Sequence, residues 1–268
     1  MLVLEAVSYR YAGAERPAIR QVSLTLDKGE VLGVVGPSEA GKTTLCLVAS
    51  GLAPRAIRGA MDGRVLLDGA DTTALPMHEM AARAGICFQH PQTQLSGICG
   101  TVFEEIAFGP MNLGLQRDDV VVRTWDALDV LGITALAERD PMQLSGGQMQ
   151  LVAIGGLLAL RPAHLILDEP TAQLDPGGTR LVGECLARLA AGGASILITE
   201  QKTDLLERIC GRVVVLEKGG IVAAGPTDEV LAAAGLAAMG VAAPSRVRVR
   251  RALAGAGFGD GAIMDALH

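Results

Sequence analysis

Aromatic side chains are scarce in this chain of 268 residues: they make up 3% of it, whereas apolar residues of all kinds make up 50%. We therefore expect a core built mainly from Ala, Val, Leu and Ile. Basic residues are also in deficit, since the formal net charge is -6. A chain without a basic field is not suited to binding nucleic acid. Its length suits one large domain, or one domain with an attached subdomain.

Paired cysteines and long apolar runs are missing as well. No apolar run reaches the ~18–20 residues needed to span a bilayer. Met1–Ala6 has neither the basic region nor the cleavage site of a signal peptide. If the protein acts at a membrane, we expect another chain to provide the span. Unpaired spacing of the cysteines favours buried thiols in a reducing compartment over a disulfide framework or a zinc site. The cysteines are Cys46, Cys87, Cys99, Cys185 and Cys210.

A glycine-containing loop lies between a predicted buried strand, Val31–Val35, and a predicted helix that continues through Leu45. Strand, loop and helix in this order predict a phosphate-binding loop, because glycines let the free N–H groups of a helix N-terminus converge on an anion. Lys42 would reach the β- and γ-phosphates of a nucleotide, and the hydroxyl of Thr43 would bind Mg²⁺. A glycine-rich turn without a ligand is the less favoured alternative. The loop residues are Gly36, Pro37, Ser38, Glu39, Ala40, Gly41, Lys42, Thr43 and Thr44.

Two acidic residues end a second predicted buried strand, which runs from His164 to Asp168 and is followed by Glu169. The carboxyl end of a strand in a parallel sheet is where nucleotides bind. Asp168 can bind Mg²⁺ directly or through water, and Glu169 can polarise an attacking water molecule. The alternative is a structural strand with a charged exit.

Strands that alternate with helices predict an α/β fold with a mainly parallel sheet covered on both faces. Val22–Leu26 alternates as a half-buried antiparallel strand does. Residues 101–137 predict an inserted helical subdomain, and Pro226–Met239 predicts a last helix. Ser245–Arg251 alternates arginine with valine. We favour a solvated helix face or strand edge for this segment over contact with lipid headgroups or an acidic partner.

A third motif completes a family pattern. Leu144–Gln148 has the sequence LSGGQ at the start of a predicted helix, before the strand that ends in the acidic pair. In this order the phosphate loop, the LSGGQ signature and the acidic pair resemble the ATP-binding-cassette (ABC) ATPases, over nearly the whole chain. The resemblance implies a P-loop NTPase fold with an antiparallel β subdomain near the N-terminus. It makes residues 1–240 the ATPase domain, with a helical subdomain inserted at roughly 95–150, and residues 241–268 a C-terminal tail.

The resemblance also implies a head-to-tail dimer of two ATPase subunits, either two copies of one chain or two different chains. ATP would lie between the phosphate loop of one subunit and the signature residues Ser145, Gly146, Gly147 and Gln148 of the other. Gln89 resembles the glutamine that senses Mg²⁺ and the attacking water and couples to a membrane partner. Asp175 resembles the aspartate that communicates across the dimer. Tyr11 lies where an aromatic ring could stack on the base, although simple packing is the alternative.

Three segments, Phe88–Leu95, Thr101–Pro110 and Glu169–Pro176, are similar to the energy-coupling-factor branch of the family. That similarity implies a bacterial or archaeal ATPase on the cytoplasmic face of the membrane. It would drive uptake of a vitamin or a transition-metal ion together with a membrane coupling protein and a substrate-binding membrane protein. The alternatives are an exporter cassette, a non-hydrolysing regulatory cassette, and a non-transport ATPase of DNA repair or translation.

Three positions depart from the family pattern. Glu39 replaces a usual glycine. Its carboxylate could repel the nucleotide, or it could point outward at little cost, and a left-handed backbone there would be strained. Gln201 replaces the histidine that usually follows the strand ending at Thr199. Glutamine donates hydrogen bonds but cannot become cationic, so it should stabilise the transferring phosphoryl group less well. Leu151 stands where arginine often follows the signature. The signature itself is intact, and we therefore predict an asymmetric heterodimer in which this chain's own ATP site is slow or mainly structural.

Overall fold

The computed structural model describes residues 1–257. Within that range the chain forms ten strands, nine α-helices and several short 3-10 turns. The strands are β1 (Leu2–Tyr11), β2 (Ile19–Leu26), β3 (Val31–Val35), β4 (Gly59–Leu67), β5 (Ala70–Asp71), β6 (Ala84–Cys87), β7 (His164–Asp168), β8 (Ser195–Thr199), β9 (Arg212–Glu217) and β10 (Gly220–Pro226). The helices are α1 (Lys42–Ala49), α2 (Met77–Arg83), α3 (Val102–Asn112), α4 (Arg117–Val130), α5 (Gly146–Leu160), α6 (Pro176–Ala191), α7 (Thr203–Ile209), α8 (Thr227–Leu231) and α9 (Ser245–Gly255).

The larger sheet has the strand order β10-β9-β3-β8-β7-β6. Its strands from β9 to β6 are parallel, and only the edge strand β10 is antiparallel to its neighbour. Strands β3, β7 and β8 are buried at every position, as their runs of Val, Ile and Leu require of strands covered on both faces. This arrangement confirms the predicted α/β fold with a mainly parallel sheet. It also brings the carboxyl ends of β3, β7 and β8 to one edge.

The smaller sheet has the strand order β2-β1-β4-β5, and all of its strand pairs are antiparallel. It is the antiparallel β region predicted near the N-terminus. Burial alternates along β1, where Leu2, Leu4 and Tyr9 are inaccessible to solvent or nearly so. These side chains share a hydrophobic core with the apolar face of α1. The smaller sheet therefore supports the helix that follows the phosphate loop.

Helices α3, α4 and α5 pack against one another and lie in sequence between β6 and β7. A capping box begins α3, since the Thr101 side chain accepts from the backbone of Glu104 and the Glu104 side chain accepts from the backbone of Thr101. Helix α5 carries the LSGGQ motif at its N-terminus and continues to Leu160. The division into an ATPase domain, a helical subdomain at 95–150 and a tail stays a prediction.

The predicted single helix over Pro226–Met239 is wrong. The segment divides into α8 and a 3-10 helix over Ala234–Met239, because Ala233 between them has extended backbone. The intervening alanines and glycine bury too little apolar surface to hold one continuous helix. The Arg/Val segment that follows is the solvated helix α9, none of whose residues is buried. Residues 258–268 of the predicted tail lie outside the described residues.

All five cysteines fall within residues 1–257 and carry free thiols, four of them buried. Burial raises the pKa of the Cys87 thiol to about 12 and that of the Cys185 thiol to about 11. Such thiols stay protonated and unreactive at neutral pH. Over the same residues, no helix combines the length and the apolar character needed to cross a bilayer.

Candidate active site

The loop between β3 and α1 needs glycine at two positions. A Cβ atom added at Gly36 would overlap the carbonyl oxygen of Leu216. Gly41 has a φ of 105°, and a Cβ there would lie 2.6 Å from the carbonyl oxygen of Ala18. Gly41 is also the N-cap of α1, and among the described residues no side chain caps this helix end. The first-turn N–H groups of α1 are therefore available to an anion.

Glu39 has a φ of 63°, which is left-handed backbone. That conformation costs roughly 1–2 kcal/mol for a residue with a Cβ. The side chain is exposed and lines the cavity beside Lys42. The strain and the charge anticipated from the sequence for a glutamate at this position are therefore both present.

Lys42 occupies the centre of the loop and is 7% exposed. Its Nζ donates to the carbonyl oxygens of Gly36 at 3.0 Å and Pro37 at 3.1 Å. The same atom lies 3.6 Å from Oε1 of Glu169. A buried ammonium needs hydrogen-bonding and charged partners to offset its desolvation, and Lys42 has both. It places a cation between the loop and the acidic end of β7.

Asp168 ends β7 with its carboxylate pointing toward α1. Its Oδ1 accepts from the Thr199 hydroxyl at 2.7 Å, and the Thr43 hydroxyl lies near enough to the carboxylate to lower its pKa. Burial raises the pKa of Asp168, while the two hydroxyl groups oppose that rise. A hydroxyl and a carboxylate side by side are hard oxygen donors of the kind that Mg²⁺ prefers, with water and phosphate as its other ligands. Thr43 and Asp168 therefore fit the ion that the sequence predicts.

Glu169 is held from three directions. Its backbone has a φ of 47°, and its N–H donates to the carbonyl oxygen of Thr199 at 3.0 Å. Its carboxylate accepts from Nε2 of Gln201 at 3.0 Å on both oxygens and from Nε2 of Gln89 at 3.2 Å on Oε2. The three predicted catalytic side chains thus converge on one carboxylate. Because both glutamines are neutral, Lys42 supplies the positive charge next to it.

These groups surround a cavity of about 300 Å³. Its walls come from the phosphate loop, the start of α1, and the side chains beside β7 and β8. The lining residues are Ala18, Ser38, Glu39, Gly41, Lys42, Thr43, Thr44, Gln89, Glu169 and Gln201. Larger cavities of about 570 and 540 Å³ lie elsewhere, one between α4 and α6 and the other between α6 and α7. We assign the chemistry to the smaller cavity because it alone of the three combines a phosphate loop with acidic groups.

Tyr11 ends β1 next to this cavity without lining it. Its hydroxyl and that of Thr44 are hydrogen-bonded at 2.9 Å, and its ring meets Tyr9 edge-on at 5.1 Å between centroids. The ring is half-buried beside the start of α1. Stacking of Tyr11 on a base stays a prediction.

The signature lies apart from the cavity. Ser145 caps α5 by accepting from the N–H of Gln148 at 3.3 Å, and Oε1 of Gln148 accepts from the N–H of Ser145 at 3.1 Å. A Cβ added at Gly146 would overlap Oε1 of Gln173, and one at Gly147 would lie 3.3 Å from the Gln173 carbonyl oxygen. The structure therefore does not bring the signature to the phosphate loop of the same chain. That separation is what a head-to-tail dimer requires.

Two more positions singled out from the sequence, Asp175 and Leu151, lie near the signature. Asp175 is exposed and caps α6, since its Oδ1 accepts from the N–H of Gly178 at 2.7 Å. Leu151 is half-buried and packs against the main hydrophobic core. An apolar side chain is therefore accommodated where the family often has arginine.

Sequence reasoning missed the roles of Glu200 and Lys202. Glu200 is 2% exposed, and its Oε1 accepts from the N–H and the hydroxyl of Thr171 at 3.0 and 2.5 Å. Burial raises the pKa of Glu200, although the Thr171 hydroxyl and nearby N–H groups oppose it. Lys202 is half-buried and donates to the same segment. The available signal was their position next to Gln201, at the carboxyl end of a buried strand.

A phosphate loop on β3, an acidic pair on β7 and a polar triplet after β8 define a P-loop nucleoside triphosphatase. A family model described as ABC transporter matches residues 19–172. A protein named as an ABC transporter ATP-binding protein from Pyrococcus horikoshii is 38% identical over 251 residues, which are 93% of this chain and 88% of that protein. The energy-coupling factor transporter ATP-binding protein EcfA2 of Symbiobacterium thermophilum is 38% identical over 253 residues, with 92% and 85% covered.

Solved structures point to the same family as the sequence comparisons. The structure of cbiO1 from Clostridium perfringens, described as part of the ABC transporter complex cbiONQ, has a TM-score of 0.75 and 29% identity, with 94% of each chain covered. A bacterial ABC transporter cassette solved as a dimer has a TM-score of 0.75 and 25% identity, covering 85% of this chain and 99% of that one. The chain belongs to the ABC transporter ATPase family. It is the nucleotide-binding ATPase of a transporter, from a family whose cassettes dimerise.

Proposed function

We propose that this chain hydrolyses ATP to energise a multisubunit importer of the energy-coupling-factor type, which takes up a vitamin or a transition-metal ion. Its likeness to EcfA2 and to cbiO1 supports the branch. We place the chain on the cytoplasmic face of a prokaryotic membrane. Its partners there are a second ATPase subunit, a membrane coupling protein and a substrate-binding membrane protein.

The observation that carries the hydrolytic role is the position of Glu169. Its carboxylate is oriented by Gln201 and Gln89 at 3.0–3.2 Å and lies 3.6 Å from the Lys42 ammonium. We assign Glu169 as the group that polarises the attacking water. Lys42 and the N–H groups at the start of α1 bind the phosphates.

We assign Thr43, Asp168 and Gln89 to the binding of Mg²⁺. The Thr43 hydroxyl lies near the Asp168 carboxylate and lowers its pKa. The Gln89 amide group has its nitrogen on Glu169, which leaves its oxygen for the ion. When bound, Mg²⁺ orients the phosphates and neutralises part of their charge.

We further propose that this chain's own site is slow and that the chain forms half of an asymmetric ATPase pair. Gln201 holds Glu169 as a histidine could, but it adds no positive charge where negative charge develops. Glu39 adds a carboxylate to the cavity. The signature Ser145–Gln148 is intact and would close the site of the partner subunit, with Asp175 next to it.

Coupling to the membrane runs through the segment after Gln89. Gln94 braces this segment, since its Oε1 accepts from the N–H of Phe88 at 3.0 Å and its Nε2 donates to the carbonyl oxygen of Ile86 at 3.2 Å. The segment then reaches Ile98, which is 76% exposed. An exposed apolar side chain nine residues after Gln89 suits a contact with the membrane coupling protein.

The test is ATP hydrolysis by the purified chain at micromolar concentration and saturating Mg-ATP, beside a Glu169→Gln variant. We expect slow turnover that disappears in the variant. Turnover of about one per second or faster would overturn the slow-site proposal. Turnover that survives in the variant would overturn the role of Glu169.

Import is tested in the source cells. Deletion of the chain should abolish energy-dependent accumulation of a vitamin or a metal ion. Loss of efflux, with uptake unchanged, would contradict import and favour an exporter.

A non-hydrolysing subunit is the second candidate, favoured by the neutral Gln201. It predicts tight ATP binding with no turnover above that of Glu169→Gln.

A further inference from the structure

Three consecutive residues after β8 all bind the segment that follows β7. Glu200 binds Thr171, and Gln201 binds Glu169, as described above. The Lys202 ammonium donates to the carbonyl oxygens of Thr171 at 2.6 Å and Leu174 at 2.9 Å, and to the Thr179 hydroxyl at 2.9 Å. An ammonium has three donors, so Lys202 uses all of them here.

We call residues 171–175 the bridging loop. On one side it continues directly from Glu169 and is held by the triplet that also positions Glu169. On its other side, Gln173 fills the space beside Gly146 and Gly147, and Asp175 ends the loop. The loop therefore joins the Glu169 carboxylate to the N-terminus of α5 through one short, continuous piece of chain.

Lys202 contacts more residues of this segment than either of the other two anchors. Hydrogen bonds from a charged donor are stronger than neutral ones, and its acceptors lie at both ends of the loop and on the first turn of α6. Lys202 is also one peptide bond from Gln201, whose amide holds Glu169. A shift of Gln201 on nucleotide binding would thus move the anchor of the bridging loop.

We propose that Lys202 is a positioning residue: it transmits the state of the Glu169–Gln201 pair through the bridging loop to Asp175 and the signature. The proposal rests on the proposed function in one respect, namely that the signature closes a site on a second subunit. Lys202 itself contacts neither the cavity nor any group we assign to catalysis.

The test is amide hydrogen exchange in the full chain with and without Mg-ATP, for wild type and Lys202→Met. The reporters are the N–H groups of Ala172 and Leu174, which donate within the loop to Glu169 and Thr171 at 3.1 and 3.0 Å. In wild type, Mg-ATP should slow exchange at both. In Lys202→Met the two amides should exchange at least tenfold faster and respond to Mg-ATP no longer, while ATP affinity changes less than twofold.

Two further variants sharpen the result. Lys28→Met changes an exposed lysine outside the site and should leave the two amides unchanged. Thr179→Val removes one acceptor of Lys202 at nearly constant volume, so it should loosen the loop in the same direction but less. It keeps the proposal testable if Lys202→Met folds poorly.

Turnover provides a separate readout. Lys202→Met should lower kcat at least fivefold with KM unchanged, because the phosphate loop is intact. Unchanged exchange at Ala172 and Leu174, or a response to Mg-ATP that survives in Lys202→Met, would overturn the role of Lys202. Absent turnover in wild type, with its exchange response intact, would overturn the hydrolytic function and leave Lys202 supported.

Discussion

The phosphate edge of the sheet, where β3 and β7 end beside the phosphate loop, differs from the signature at the start of α5 in burial and in the reach of its contacts. At the phosphate edge Lys42, Asp168 and Glu169 are each less than 10% exposed and are joined by contacts that cross several elements. At the signature, Ser145 is exposed and exchanges its hydrogen bonds with Gln148 three residues away. The contacts of the first region are all made within one chain. The second region has only local hydrogen bonds, and we propose that its helix N-terminus faces a second subunit.

Burial explains the difference. Charges taken out of water need partners that are already in place, so the phosphate edge has a dense set of contacts. The signature, which we propose closes on ATP bound to a second subunit, has no such set of contacts within its own chain. The comparison predicts that changes at the phosphate edge alter binding or chemistry in one chain, whereas changes at the signature alter only what two chains do together.

The largest effect is expected at Glu169. Glu169→Gln keeps the shape of the side chain but removes the base, so turnover should fall about 10²–10⁴-fold. ATP affinity should stay within about threefold, because the phosphate ligands remain. Glu184→Gln, an exposed glutamate on α6, is the matched control for steady-state assays and should behave as wild type.

Lys42 comes next. Lys42→Ala removes a buried cation at the phosphates, and a hydrogen bond to a charged group is worth ~1.5–3 kcal/mol. We therefore expect ATP affinity to fall about 10- to 100-fold, measured by titration with a fluorescent nucleotide. Lys28→Ala should leave the affinity unchanged. Retained affinity in Lys42→Ala would mean that the nucleotide binds elsewhere.

A substitution of Gly146 tests the signature region. Gly146→Ala would place a Cβ against Gln173, shifting the signature and the bridging loop. Turnover should fall about tenfold, as for the loss of one positioning contact, while a single chain binds ATP as before. Gly156→Ala on the same helix, where nothing described lies within 4 Å of the new Cβ, is the control. Equal losses in both variants would point to helix effects instead.

At Gln201, in contrast, we expect a substitution at the phosphate edge to raise turnover. Gln201→His should increase turnover several-fold at neutral pH, because a histidine can carry positive charge beside the phosphates. Its effect should grow as the pH falls toward ~6.5, the ordinary pKa of histidine, while wild type lacks that dependence. A pH–rate profile checks this. Lower turnover at every pH would show that Gln201 is the better residue for this site.

The smallest effect is expected at Glu39. Glu39→Gly relieves the left-handed strain of a residue at φ 63°, offset by the greater freedom of glycine in the unfolded chain. We expect the free energy of unfolding to rise by less than about 1 kcal/mol and ATP affinity to rise about twofold, since a carboxylate leaves the cavity. Denaturant unfolding measures the first. Glu15→Gly, at an exposed loop position without positive φ, should be destabilising.

Patterns local in sequence predicted the sheet, the phosphate loop and the acidic end of β7, because each rests on apolar runs and glycine spacing. The structure brings Gln89, Glu169 and Gln201 together as expected, although their roles stay proposals. The single helix predicted over Pro226–Met239 is wrong because its alanines favour a helix without adding packing, and Gly235 opposes one. Lys202 could not be assigned, because its acceptor at Thr171 lies 31 residues away in sequence.

The most direct test of the shared site is the mass in solution of Glu169→Gln and of Glu169→Gln/Gly146→Trp with Mg-ATP, together with their ATP affinities. Because this chain carries both regions, two copies can pair with each other when the second ATPase subunit proposed above is absent. Two-chain particles are predicted for the first variant, and single chains with the same ATP affinity for the second. Two-chain particles that survive Gly146→Trp, or weaker ATP binding by single chains that carry Gly146→Trp, would contradict a site completed by the signature of another chain.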